Sequence, residues 1–136
     1  MNTATAMTRK DAIHFIAQLR GFIGTTQLQA IGHVCYSEEK QFMFEKLAEL
    51  TGIIANMPKP YETDGQGNQA MVFLHYFIGN CDWWIIEKDI GDEQQQAFGC
   101  ANLGYGSELG YISIAEIIAA GAELDLYWTP KPLSQC

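Results

Sequence analysis

The chain has 136 residues, 48% from the hydrophobic set and 18% charged, with a formal charge of −8 from 16 acidic and 8 basic side chains. That length supports one domain with a real core, and the composition argues against intrinsic disorder. A surface of that sign gains nothing from nucleic-acid phosphates or anionic lipid, so direct DNA, RNA or membrane-surface binding is disfavoured.

Residues 1–7 form a small polar leader, expected to fray. Thr8 stands as an N-cap with Asp11 three residues on, an acidic variant of the capping box. Ile13, Ile16 and Leu19 follow at helical spacing, and the helix stops before Gly21. Residues 22–36 read two ways: a short helix over 27–35 broken by Gly32, or an irregular apolar segment. Ser37 opens the clearest helix. Glu38 and Glu39 suit its positive end, and Phe44, Leu47, Leu50, Ile54 and Met57 form a core-facing stripe. Pro58 and Pro60 end it. Residues 61–69 are a loop turning at 64–67.

The second half reads as β. Residues 71–78 are one strand, 79–82 a turn and 83–88 a second strand, together a hairpin. A polar turn at 89–94 leads to a third strand, 95–103, loosened by Gly99. Residues 104–107 turn the chain into a short fourth strand, 108–112. Ser113 and Glu116 make a capping box for a helix over 114–120, which Gly121 ends. Residues 123–128 alternate as a last strand. The expected architecture is α+β in one domain: leader 1–7, helical region 8–56, and an antiparallel meander over 57–136 with the inserted helix 114–120.

A turn centred on Asn80 and Cys81 sets Ile78 opposite Trp83, Tyr76 opposite Ile85 and Leu74 opposite Glu87. Phe73, His75, Phe77, Trp84 and Ile86 take the other face. Trp83 and Trp84 therefore point to opposite faces, both mostly buried. Both faces are apolar, so each needs a cover. The N-terminal helices can cover one. The 114–120 helix and loops can cover part of the other, which leaves a groove or partner surface.

The cysteines, Cys35, Cys81, Cys100 and Cys136, are widely spaced. Residues 1–9 lack the apolar stretch of a secretory signal, and the apolar run 71–78 is too short to span a bilayer. A reduced, cytoplasmic protein is expected; two bridges in a secreted protein are the competing reading. Gly104, Gly106 and Gly110 do not have the spacing of a phosphate loop, and 64–68 lacks the carboxylates of a calcium loop. His33 and Cys35 are two metal ligands without a second pair. Cys81 and His75 lack an orienting third group. No metal and no cofactor are expected. Among the acids, Glu87, Glu108 and Asp125 form a conceivable catalytic group. The competing account is a solvated strand face, with one carboxylate held by Lys88 or a backbone amide.

A series of short motifs runs through the chain: Met57-Pro58-Lys59-Pro60-Tyr61-Glu62-Thr63-Asp64, Leu74-His75-Tyr76-Phe77, Asp82-Trp83-Trp84-Ile85-Ile86-Glu87-Lys88-Asp89, Ala97-Phe98-Gly99, Glu108-Leu109-Gly110-Tyr111-Ile112-Ser113-Ile114-Ala115-Glu116-Ile117 and Glu123-Leu124-Asp125-Leu126-Tyr127-Trp128-Thr129-Pro130. Together they resemble the small bacterial domain of unknown function numbered 2958, common on plasmids, phages and integrative elements. The resemblance covers residues 57–133. It implies a small α+β domain whose sheet includes the 83–88 strand, and it implies no reaction. The chain departs from that pattern at Leu124, where the family often has a basic residue, and in residues 1–56, an added helical region.

The functional expectation is a non-enzymatic, acidic accessory protein of a mobile element that acts by binding a protein. Counter-defence, anti-restriction or anti-CRISPR, is its concrete form; it rests on the resemblance and the acidity. Trp83, Trp84, Tyr105, Glu123, Asp125 and Tyr127 are the candidate partner-binding residues, toward a target protein or a second copy. The alternative is a small hydrolase or transferase using Glu87, Glu108 and Asp125.

Overall fold

Three helices come first: α1 (Arg9–Leu19), α2 (Thr25–Val34) and α3 (Lys40–Ala55). The computed structural model describes residues 7–91 and 94–136. The expected leader lies outside the described residues except for Met7, which packs on the helical core and accepts a hydrogen bond from Gln41 (2.9 Å). Thr8 and Asp11 cap α1 reciprocally, each side chain accepting the other's backbone N–H. The ambiguous segment resolves as α2, which runs through Gly32. α3 starts later than expected, because Ser37 caps nothing ahead of it. Its hydroxyl donates back to the Val34 carbonyl (2.7 Å) and accepts from the Glu39 N–H (3.1 Å), so 35–39 stay in turns. The stripe holds: Phe44, Leu47, Leu50, Ile54 and Met57 are all buried.

The expected strand 71–78 is two strands. β1 (Met71–Val72) pairs with β7 (Lys131–Pro132) in a small second sheet, and β2 (Leu74–Ile78) enters the main one. The break follows from Val72, which turns back across the main sheet onto Ile86 and accepts a hydrogen bond from the Trp128 indole (3.1 Å). β3 (Cys81–Glu87), β4 (Ala97–Asn102) and β5 (Ser107–Ile112) complete an antiparallel meander. α4 (Ile114–Ala119) then carries the chain to β6 (Glu123–Leu124), which pairs with β2, and the strand order is β5-β4-β3-β2-β6. The architecture is α+β, with the helices ahead of the sheet.

The hairpin loop is Gly79–Asn80 alone, with Gly79 at φ +55°, the left-handed conformation that such short loops require. Ile78 therefore pairs with Cys81, Tyr76 with Trp83 and Leu74 with Ile85, a shift of two residues from the expected register. The assignment of faces survives because side chains alternate with a period of two. The expected last strand ends at Leu124. The Asp125 carboxylate accepts the Tyr127 N–H (3.0 Å), an Asx turn that bends the chain away from the sheet.

Leu74, Tyr76, Trp83, Ile85, Ile112 and Leu124 share one core with the helices. The Tyr76 hydroxyl donates to the Phe22 carbonyl, tying the sheet to the link between α1 and α2, and complete burial pushes its pKa far above the ordinary value. α4 also belongs to this layer through Ile114, contrary to the expectation that it shields the second face. That face is covered over β2 and β3 by Ala70, Val72, Trp128 and Leu133. No helix among the described residues is long and apolar enough to cross a membrane.

The two edges of the main sheet differ. Beside β6, the Gln27 amide of α2 donates to the Leu124 carbonyl (2.8 Å) and accepts the Leu124 N–H (2.9 Å), occupying the place of a further strand. β5 is the opposite edge.

β3 and β4 approach closely beside a bulge, where pairing passes from Ile85–Gly99 to Glu87–Phe98. A Cβ on Gly99 would stand 2.0 Å from the Trp84 carbonyl oxygen, and 3.0 Å from the Ile85 Cα. A Cβ on Gly110 meets nothing within 4 Å. Gly99→Ala is expected to cost about 2–3 kcal/mol in urea unfolding, as overpacking against fixed backbone does. Gly110→Ala should stay within about 0.5 kcal/mol of the parent. Equal effects at the two positions would contradict the packing described.

Candidate functional site

Glu87 is 3% exposed and accepts three hydrogen bonds. The Tyr61 N–H donates to one carboxylate oxygen (2.9 Å), and the Thr63 N–H (3.0 Å) and hydroxyl donate to the other. The bulge in β3 puts this carboxylate at the loop, and the loop closes over it. Tyr61 is held at φ +73°, a strained conformation for a bulky residue. Its phenol is thereby brought to Tyr111 on β5, whose hydroxyl donates to it (3.1 Å). That bond, then desolvation, then the charges of Asp64 and Glu87, raise the Tyr111 pKa above its ordinary value. Lys88 does not pair with Glu87. Its ammonium donates to the Ile54 carbonyl (2.7 Å) at the end of α3, where the helix dipole favours a cation.

Beyond that loop the second face is open. Leu109 and Tyr111 alternate outward on β5 and are 50% and 59% exposed. Leu109 borders two shallow grooves. One, of about 330 Å³, runs to Phe98, Ile86 and Asp64; the other, of about 380 Å³, runs to Trp84 and Cys100. Asp64 supplies negative charge in the first of these grooves. A larger cleft, of about 790 Å³, lies on the helical side between the start of α2 and α4, where Arg20 and Glu123 oppose each other in sign.

His75 marks the covered half of the same face. Its Nε2 lies 2.8 Å from Asp82 and its Nδ1 lies 3.1 Å from Asp125. The ring stacks on Trp84 with centroids 5.8 Å apart, and Trp128 lies across it at 5.1 Å. The carboxylates sit off opposite ring nitrogens, so the three side chains form a clamp joining β2, β3 and the turn after β6. Among the described residues, no three His, Cys, Asp or Glu converge as metal ligands.

The expected carboxylate group is not assembled. Glu87 is enclosed by its loop, while Glu108 on β5 and Asp125 after β6 lie at opposite edges, about 19 Å apart at about 4.8 Å per strand. Cys81 packs with the helical core, on the face away from His75. Cys35 is buried, with burial raising its thiol pKa, while His33 is exposed, so those two diverge. The candidate partner-binding residues also separate. Trp83 is 9% exposed and faces the helices, which removes it from any surface. Trp84 lies on the opposite face as expected, half-buried against His75. Asp125 lies against His75, as part of the clamp. Glu123 is exposed on β6. Tyr127 is exposed, near Phe42 and Lys46 of α3. Tyr105 is 97% exposed in the loop between β4 and β5. Leu109 and Tyr111 were not foreseen; alternation along the 108–112 strand sets them on one face but does not show that this face is left uncovered.

No protein family, curated protein or solved structure matches this chain.

Each Glu87 oxygen accepts a backbone N–H, so a glutamine amide nitrogen would face a donor in either orientation. Glu87→Gln is expected to lose about 2–3 kcal/mol of stability, the cost of a buried donor left unpaired beside a lost charged acceptor. It should also speed chymotryptic cleavage at Tyr61. Glu108→Gln should change neither. A Glu87 variant with parental stability and cleavage rate would refute the structural role.

Proposed function

We propose that the protein is a non-enzymatic binding module that holds another protein on the open half of its second sheet face. The observation that carries this reading is the exposed pair Leu109 and Tyr111 on that face, with Leu109 bordering two grooves and Asp64 lining one of them. Adjacent exposed apolar and aromatic side chains anchor protein interfaces, and charges around them steer encounter with a partner of opposite sign. The net charge of −8 favours a basic partner. The module acts in the bacterial cytoplasm as an accessory of a plasmid, phage or integrative element, with counter-defence as its concrete role. The mobile-element setting draws on the resemblance of residues 57–133. The four free cysteines, two of them buried, suit a reducing compartment.

The test is a double variant, Leu109→Asp with Tyr111→Asp, compared with the parent in restriction- or CRISPR-proficient bacteria. The parent should raise phage plating efficiency, and the variant should lose that effect by roughly tenfold or more, as expected when interface anchors are removed. Circular dichroism should show the variant folded. Undiminished protection by a folded variant would reject this face as the working surface.

A further inference from the structure

We propose that β5 is a docking strand: an extended, lysine- or arginine-bearing segment of a partner protein pairs with its free edge and extends the sheet. The inference rests on the binding reading above and supplies its mode.

The two edges are treated differently by the fold. Gln27 fills the hydrogen-bonding positions of Leu124 beside β6, as a neighbouring strand would. Among the described residues, no hydrogen bond reaches the backbone of Ser107–Ile112 from any element but β4. An uncovered edge of this length is a template for another strand. β5 is also shaped for recognition. Leu109 and Tyr111 project to the face with the grooves, where alternate side chains of an added strand would lie beside them. Glu108 projects to the opposite face, and Asp64 lies near Tyr111. Acids on both faces of one edge select an occupant with cationic side chains. The same charge, within a chain of −8, weighs against a second copy of this protein.

The experiment titrates the full chain with a synthetic peptide of alternating Lys and Val, followed by amide NMR shifts. Two controls are used: the same peptide with alternate backbone nitrogens methylated, and a Glu–Val counterpart. The Lys–Val peptide is expected to move the amides of 107–112 and to leave Leu124 in place. Backbone methylation is expected to weaken binding by about tenfold or more, because the edge hydrogen bonds are lost. High salt should weaken it as well, and the Glu–Val peptide should not bind. Equal binding of the methylated peptide around Leu109 and Tyr111 would overturn strand pairing while leaving the binding-face reading intact. Shifts confined to other elements, or none at millimolar peptide, would also overturn it. Shifts at 107–112 that grow with protein concentration alone would overturn it in favour of a second copy.

Discussion

A sheet that is apolar on both faces must be covered on both, and the fold follows from how unequally this is done. On one face the helices cover β2, β3 and β6. The stripe of α3, the link between α1 and α2, and α4 enclose Leu74, Tyr76, Trp83, Ile85 and Leu124. On the other face the chain has only its own connections to use. It folds Val72 back before β2 and returns Trp128 and Leu133 after β6, which covers Ile86 and half-covers Trp84. Among the described residues nothing comparable lies over β5, where Leu109 and Tyr111 remain in contact with water.

The boundary between the covered and open halves is held by polar groups. His75 draws Asp82 and Asp125 together, so the turn after β6 is fixed where it delivers Trp128 to the sheet. Glu87 does the corresponding work at the other end of β3. A buried carboxylate is costly unless it is fully hydrogen-bonded, and here backbone and hydroxyl donors of a single loop satisfy it. The same loop carries Tyr61, whose phenol meets Tyr111. The carboxylate thereby shapes the loop at the edge of the open surface.

Much of this was legible in the sequence because it is local. The Thr8–Asp11 box, the α3 stripe and the Ser113 cap with Gly121 all arise within a few residues, and the structure contains them. The separation of Trp83 and Trp84 was also legible, since alternation fixes faces even when the register is wrong by two residues. What was not legible depends on distant partners. Gln27 closes an edge 97 positions away, and Asp125 turns toward His75 across 50. For Glu87 the sequence left two readings open, a catalytic group with Glu108 and Asp125 or a carboxylate held by Lys88 or a backbone amide, because a one-dimensional pattern cannot show a bulge; the carboxylate meets backbone amides. The surface at Leu109 and Tyr111 was missed because its exposure is set by where α4 packs, on the helical side, and not by the strand itself.

The central claim is that one edge of the sheet is closed by the fold and the other is left available. Hydrogen–deuterium exchange of the free protein, read at single amides, tests it most directly. The Leu124 amide should be protected because Gln27 accepts its hydrogen, while those amides of 107–112 that face away from β4 should exchange at near-unprotected rates. Uniform protection along β5 in the free monomer, or rapid exchange at Leu124, would contradict the account.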